Sequence, residues 1–176
     1  MAGWGKVAMP GPRCAENDWV ALLVRVNHEK VAAAQLGKHG YEFFLPTYTP
    51  PKSSGVKAKL PLFPGYLFCR YQPLNPYRIV RAPGVIRLLG GEAGPEAVPE
   101  QELAAIRRVA DSGVSSNPCD YLRAGQRVRI VEGPLTGLEG SLVTSKSQLR
   151  FIVSVGLLQR SVSVEVSAEQ LEPITD

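Results

Sequence analysis

The hydrophobic and polar positions divide the chain into an N-terminal part with mixed patterns and a C-terminal part that alternates throughout. Residues 19–26 ("WVALLVRV") are almost continuously apolar and rich in β-favouring side chains, which predicts a buried strand. Residues 28–40 ("HEKVAAAQLGKHG") place Val31, Ala34 and Leu36 on roughly one side and end in two glycines, so they predict a helix.

The next segments repeat these two signals. "YEFFLPTY" and "YLFCRY" predict two further strands, separated by the Pro-, Ser-, Gly- and Lys-rich residues 49–59, which predict an exposed hairpin loop. "NPYRIVRAPG" predicts a short helix, "VIRLLGG" a strand and "VPEQELAAIRRVA" a longer helix. The order strand, helix, strand, strand, helix, strand, helix predicts an α+β domain in which helices pack on an antiparallel sheet of ferredoxin-like type.

Two prolines and a glycine interrupt the segment before the third strand, "KLPLFPGYLFCRY". Pro61 and Pro64 each remove a backbone donor and force the preceding residue into extended geometry, so the segment cannot be a central strand. Gly65 lets the chain turn into the strand that follows. The pattern predicts a rigid segment that holds Leu62 and Phe63 at a sheet edge.

The pattern of apolar and polar residues changes after residue 110. "DSGVSSNPCD" has no apolar period and is typical of a linker. Beyond it, short alternating segments such as "QRVRIVE" and "RSVSVEV" are separated by turn residues, which predicts a stable all-β, SH3-like barrel. The predicted organisation is a flexible tail, an α+β domain, a linker and an all-β domain, over residues 1–16, 17–110, 111–121 and 122–176.

The net charge of +4 is unevenly distributed. From Phe43 to Gly91 there is no Asp or Glu, while seven Lys or Arg residues and eight of the thirteen aromatic residues fall there. A basic surface without acidic residues attracts phosphates through counterion release. Charge alone leaves two partners open at this point, a nucleic acid and an acidic protein surface.

The sequence gives little support for catalysis or for a bound metal. Cys14, Cys69 and Cys119 are far apart and form no CxxC pair, and His28 and His39 have no ligand cluster around them. No GxSxG, P-loop or HExxH motif is present. No apolar run approaches the roughly 18 residues that a membrane helix needs. We expect a cytoplasmic, monomeric protein that is not an enzyme, needs no cofactor or metal and does not bind membranes.

Trp19 to Ile174 resembles the NusG family of bacterial transcription elongation factors, which combine an NGN and a KOW domain. "WVALLVRVNHEK" is similar to the start of the NGN domain, and "LFPGYLFCRY" to its aromatic–Pro–Gly–Tyr segment. "GQRVRIVEGPLTGLEGSLVTSK" resembles a KOW motif. "RVNHEKVAAAQL" and "LLQRSVSVEV" resemble specialised paralogues of the UpxY or RfaH kind.

The resemblance implies a function in binding. In the family, the NGN domain binds the clamp helices of the largest RNA polymerase subunit and suppresses pausing or termination, and this carries over to Phe63, Tyr66, Trp19 and Val85. In the family, contact with the non-template DNA strand is made by basic and polar residues beside the same surface, and the candidates here are Arg25, His28, Lys30, Lys52, Lys57 and Lys59.

The resemblance also implies that the KOW domain recruits Rho or a small-subunit ribosomal protein. Leu135, Leu138, Leu157 and Leu158 are the candidates, as leucines projecting from loops, although a place in the barrel core is favoured for one or two of them. An alternative function remains, that of a ribosome- or RNA-binding KOW protein without polymerase contact.

Overall fold

The computed structural model of the chain describes residues 14–121, 125–145 and 148–174. Within these residues, three α-helices and fourteen strands follow one another along the chain. In order, they are β1 (Trp19–Val24), α1 (Glu29–Lys38), β2 (Phe43–Phe44), β3 (Thr47–Tyr48), β4 (Leu60–Pro61), β5 (Tyr66–Arg70), α2 (Pro76–Val80), β6 (Val85–Leu88), β7 (Gly90–Gly91), β8 (Gly94–Pro95), α3 (Glu100–Asp111), β9 (Ser116–Asp120), β10 (Gln126–Ile130), β11 (Glu139–Ser145), β12 (Gln148–Val155), β13 (Arg160–Glu165) and β14 (Leu171–Pro173).

The N-terminal region, residues 14–111, is built on a four-stranded antiparallel sheet in the order β2-β5-β1-β6. The helices interrupt the strands in the predicted order. Together with the all-β C-terminal region, this confirms the predicted fold class.

Alternation along β1 gives this sheet two buried faces. Val20, Leu22 and Val24 lie on one face in a cluster with residues of α1 and α2, and we call this the helix-covered face. Trp19 and Ala21 lie on the other face in a second cluster, and we call this the shared face. Both faces are buried because each is covered by other elements of the chain.

Helix α1 packs through a different stripe from the one predicted. Its buried residues are Glu29, Ala32, Ala33 and Leu36, while Val31 is 52% exposed. The predicted face was wrong at Val31 and Ala34, because a run of alanines gives almost no contrast between the sides of a helix.

The proline-containing segment lies outside the main sheet, as predicted. Its first residues, β4, pair with β3 in a separate two-stranded hairpin. The loop between these strands contains a single 3-10 turn at Lys52–Ser54 and is exposed along residues 51–59. The predicted hairpin loop is therefore confirmed.

The C-terminal region, residues 116–174, is an antiparallel six-stranded sheet in the order β14-β10-β11-β12-β13-β9. The predicted alternation in β10 is confirmed, since Val128 and Ile130 are buried while Arg127 and Arg129 are exposed and pair with Glu139.

Glycine at position 140 is required by packing. A Cβ there would lie 2.6 Å from the Ile152 carbonyl oxygen and equally close to the Phe151 ring.

Two expectations about local structure near the predicted boundaries need correction. Ser116–Asp120 was assigned to an irregular linker, but it forms β9 and pairs with β13, whose backbone groups supply the hydrogen bonds. Cys14 was assigned to the flexible tail, but it is buried at 3% exposure on the helix-covered face. Residues 1–13 of that tail lie outside the described residues, and the domain boundaries themselves remain predictions.

Candidate binding surfaces

Phe63, the first candidate for polymerase contact, is buried at 2% exposure. Its ring packs edge-to-face on Phe68 at 6.2 Å between centroids, and Phe68 in turn stacks on Phe44 at 6.1 Å. The resemblance implies a partner contact at Phe63, but its side chain is not accessible in this conformation. Pro61 and Pro64 bracket Leu62 and Phe63 in the sequence, and both of these side chains are buried.

The turn after Phe63 is held by hydrogen bonds to two other elements. Gly65 has a φ of +82°, a left-handed conformation that suits glycine. Its N–H donates to Glu29 Oε1 at 2.8 Å, and its carbonyl accepts from the Val24 N–H at 2.8 Å. The Tyr66 N–H donates to the Phe63 carbonyl at 3.0 Å and closes the turn.

Glu29 is a residue that the sequence analysis missed. Periodicity placed it in the first turn of α1 but gave no reason for burial, yet it is 3% exposed. The signal that could have identified it is its spacing, because Glu29 shares the i, i+3, i+4, i+7 stripe of Ala32, Ala33 and Leu36.

Trp19 lies on the shared face and is 4% exposed. The Arg70 guanidinium lies 4.5 Å from the centre of its ring and that of Arg107 lies 5.7 Å away, so two cations border the indole. Arg70 also pairs with Glu42 at 3.5 Å and Glu100 at 3.2 Å. One of the seven basic residues between 43 and 91 is thus engaged within the N-terminal region.

Three of the four polymerase candidates are brought together. Trp19 and Phe63 belong to the apolar cluster of the shared face, and the half-buried Tyr66 packs against the same cluster. Val85 packs against the cluster of the helix-covered face. Its position on the opposite side of the sheet separates it from the other three.

The C-terminal region covers the shared face. One apolar cluster runs from Trp19 and Phe63 through Leu103 and Ile106 of α3 into the C-terminal core. Beside Phe63, residues 62–64 face Pro118–Asp120 and Arg160–Ser161 across a cavity of about 350 Å³. The candidate polymerase surface is therefore part of an internal interface.

Two hydrogen bonds from α3 connect the regions at loops of the C-terminal sheet. The Gly156 N–H donates to Glu102 Oε2 at 3.1 Å, and the Arg108 guanidinium donates to the Thr136 carbonyl at 2.6 Å. Burial raises the pKa of the Glu102 carboxyl, and the bond from Gly156 partly offsets that effect.

The four leucine candidates lie on the same two loops. Leu135, Leu138 and Leu158 are buried at 3%, 6% and 5% exposure, and Leu157 is half-buried against the same cluster. The expectation of an exposed leucine group was wrong, because three of the four side chains are buried in a cluster that joins the core of the C-terminal sheet to α3. Their role in partner binding remains a prediction.

The basic candidates are all exposed, namely Arg25, His28, Lys30, Lys52, Lys57 and Lys59. Lys30 Nζ donates to the Lys59 carbonyl at 3.2 Å, which brings the start of α1 to the end of the 49–59 loop. Arg25 and His28 lie just before α1, where both adjoin Gly84. Lys52 and Lys57 lie further out on the loop.

The cysteines are poorly suited to nucleophilic or metal chemistry. Burial raises the pKa of Cys14 to about 11 and that of Cys69 to about 12, so both remain thiols at neutral pH. In the described part of the chain, no cluster of His, Cys, Asp and Glu has a geometry that would hold a metal ion. None of the helices described is long and apolar enough to span a bilayer.

Comparison with known proteins identifies the family. Residues 17–107 match the family model described as "Transcription termination factor nusG". The NusG protein of Pseudomonas aeruginosa is 32% identical over 124 residues, which cover 67% of this chain and 70% of that protein. The NusG protein of Treponema pallidum is 33% identical over 124 residues, covering 64% and 67% respectively.

A solved structure, "Domain interaction in Thermotoga maritima NusG", has the same overall fold. It matches with a TM-score of 0.56 at 18% identity and covers 90% of this chain and 97% of that one. The family model spans the N-terminal region, and the fold match extends over both regions. The chain belongs to the NusG family of transcription termination/antitermination proteins.

Proposed function

We propose that this protein is a transcription elongation and antitermination factor that acts by binding, without chemistry of its own. Its N-terminal region binds the clamp helices of RNA polymerase through the shared face and suppresses pausing or termination. The observation that carries the proposal is the grouping of Trp19, Phe63 and Tyr66 on one apolar cluster of the shared face. Aromatic residues in a desolvated cluster are the usual centre of a protein interface.

Polymerase binding through this face requires the two regions to separate. Phe63 is 2% exposed, so a partner has access to its ring only after the C-terminal region has moved away. The two bonds from α3, at Glu102 and Arg108, must then break. Separation also uncovers Leu135, Leu138 and Leu158, which are the candidates for the second partner.

Both candidate surfaces are therefore available only in the separated form. A partner that binds either surface stabilises that form and raises the affinity of the other surface by the same factor. The second partner is Rho or a small-subunit ribosomal protein, and an apolar loop surface suits a protein better than it suits RNA.

We also infer that the non-template DNA strand runs along the basic residues beside α1. Lys30 and Lys59 are held together, and the acid-free composition of residues 43–91 leaves phosphates without like-charge repulsion there.

The central experiment measures polymerase pausing and polymerase affinity for the wild-type chain and for Phe63→Ala. We expect the wild type to change the pause profile and Phe63→Ala to bind at least tenfold more weakly, since a buried aromatic anchor is removed. Leu36→Ala is the matched control, because it weakens the core on the opposite face of the same sheet. At a temperature where both variants are folded, the control should keep wild-type affinity.

Two outcomes would reject the proposal. The first is an unchanged pause profile with both wild type and Phe63→Ala. The second is tight RNA binding by the full chain without any polymerase binding, which would establish the alternative of a ribosome- or RNA-binding KOW protein.

The DNA contact is tested through its salt dependence. The measured quantity is the slope of the logarithm of DNA affinity against the logarithm of salt concentration. Replacing Lys52, Lys57 and Lys59 by Gln should lower the magnitude of this slope by about 1 for each phosphate that is no longer neutralised. Lys38→Gln, at the far end of α1, is the matched control and should leave the slope unchanged. Equal slopes in all the variants would exclude the loop lysines from the DNA contact.

A further inference from the structure

The first turn of α1 contacts both ends of the segment that carries Phe63. Lys30 Nζ donates to the Lys59 carbonyl at one end, at 3.2 Å. Glu29 Oε1 accepts from the Gly65 N–H at the other end, at 2.8 Å. Adjacent residues of one helix therefore hold a segment that is distant in sequence.

The contact at Glu29 is unusual for a carboxylate. Among the charged side chains of the described residues, that of Glu29 alone is buried, at 3% exposure. Burying a carboxylate is costly unless it is hydrogen-bonded, and the start of a helix is where its charge is best tolerated. A hydrophobic residue would fill the same place on the stripe of α1 at lower cost, so packing alone does not account for a carboxylate here.

The Gly65 peptide groups show what the carboxylate does. The Gly65 carbonyl is fixed by the Val24 N–H of the central strand, and the Gly65 N–H is fixed by Glu29. Gly65 has a φ of +82° here, but glycine can adopt many other backbone conformations. Each of the two hydrogen bonds therefore restricts the conformational freedom of the turn. Phe63 is two residues away and is bonded through its own carbonyl to Tyr66.

We propose that Glu29 is a positioning residue for polymerase binding, which fixes the Pro64–Gly65 turn so that Phe63 and Tyr66 are presented in one arrangement. This inference rests on the proposed function. The benefit is preorganisation: when the C-terminal region leaves, the Phe63 segment keeps its shape and loses little further entropy on binding. His28 and Lys30 flank Glu29, so the same helical turn directs its basic candidates outward.

The test uses three substitutions at Glu29 in the full chain. Glu29→Gln keeps an acceptor oxygen of the same reach, and we expect polymerase affinity within about twofold of wild type. Glu29→Leu keeps a similar volume but has no acceptor, and we expect a loss of about tenfold, the equivalent of one hydrogen bond. Glu29→Asp keeps the charge but is too short to reach the Gly65 N–H, so we expect the same loss of about tenfold in polymerase affinity. It replaces Glu29→Leu in the test if Glu29→Leu does not fold.

A double-mutant cycle separates positioning from general stability. If Glu29 acts through Phe63, the loss caused by Glu29→Leu should largely disappear when Phe63 is already alanine. Exchange of the Gly65 amide hydrogen should accelerate in Glu29→Leu and Glu29→Asp, and stay slow in Glu29→Gln. Leu36→Ala, which weakens the same helix elsewhere, should leave both polymerase affinity and Gly65 exchange at wild-type values under folding conditions.

The results distinguish this inference from the proposed function. Equal losses from Glu29→Leu in the wild-type and Phe63→Ala backgrounds would overturn the positioning role while leaving polymerase binding intact. A Phe63→Ala variant that binds polymerase normally would refute the proposed function instead. In that case, fast Gly65 exchange in Glu29→Leu would still establish that Glu29 holds the turn, and slow exchange would refute this as well.

Discussion

The two faces of the N-terminal sheet are buried by different means. The helix-covered face is closed by α1 and α2, each joined to a strand of the same sheet by a few residues. The shared face is closed by α3 together with the C-terminal region. Short connections keep the first pair in place, since loop closure is cheap for neighbouring elements.

Under the proposed function, the helix-covered face is a permanent core, whereas the shared face is a core that becomes a binding surface when the two regions separate. Removing α1 would expose a face that the chain has no other means to cover. In the proposed mechanism, separation of the C-terminal region exposes the aromatic residues of the shared face, and RNA polymerase covers them in its place. In the described residues, α3 makes two hydrogen bonds to the C-terminal region, through Glu102 and Arg108. The contact between α3 and the C-terminal region therefore depends mostly on apolar burial.

The largest effect is expected on the helix-covered face. Leu36→Ala should lower the free energy of unfolding by about 2–5 kcal/mol, because Leu36 is fully buried and its removal leaves a cavity. Val31→Ala on the same helix is the control, and at 52% exposure it should cost under about 0.5 kcal/mol. Chemical denaturation measures both, and equal costs would show that α1 packs through another side.

The second prediction concerns the contact between α3 and the C-terminal region, where we expect a smaller change in free energy that affects only the separation of the two regions. The double substitution Glu102→Ala, Arg108→Ala removes both polar bonds from α3, at about 0.5–1.5 kcal/mol each. The separated form should gain between about fivefold and 150-fold in population, which small-angle X-ray scattering would register as an increased radius of gyration. Gln101→Ala, an exposed neighbour on α3, should leave the radius unchanged, and a double variant as compact as wild type would argue against a separable interface.

Arg107 on the shared face is expected to stabilise the folded protein through cation–π contacts. The Arg107 guanidinium lies 4.5 Å from the centre of the Phe44 ring and 5.7 Å from that of Trp19, so Arg107→Ala should lower stability by about 0.5–1 kcal/mol. Arg81→Ala, at an exposed site after α2, is the control. If both variants unfold at the same denaturant concentration, the cation–π contacts do not stabilise this face.

The smallest effect concerns pH. The pKa of Glu102 is raised in the folded protein, so the folded state retains this proton after the unfolded chain has released it at about pH 4.3. Its contribution to stability is therefore complete at low pH and is lost as pH rises through the raised pKa. Glu102→Gln removes this dependence while keeping an acceptor for Gly156. Its stability relative to wild type should grow from pH 4 to about pH 7, and a trend in the opposite direction would contradict the assignment.

Local signals in the sequence were sufficient for most of the fold. Alternation predicted β10, and the prolines at 61 and 64 correctly excluded their segment from the main sheet, because these effects act within a few residues. Strand β9 was missed because "SNPCD" has weak strand propensity, and pairing with β13 determines its conformation.

The site was predicted less completely, for a physical reason. Phe63 and Leu138 lie beside residues that are distant in sequence and belong to the other region, which no local pattern records. The bond from Glu29 to Gly65 spans 36 residues and is equally invisible to periodicity. The loop lysines Lys52, Lys57 and Lys59 were correctly expected to be exposed, because charge seldom tolerates burial.

The hairpin between β3 and β4 makes the loop at residues 49–59 a natural place for inserting foreign sequence. Its ends are fixed by the two-stranded ladder, and the bond from Lys30 is accepted by a backbone carbonyl, which any residue at position 59 supplies. Doubling the length of such a loop costs only about 0.6 kcal/mol. Unrelated peptides grafted between Tyr48 and Leu60 would be displayed from the β3–β4 hairpin, so one scaffold can be equipped with many different recognition loops.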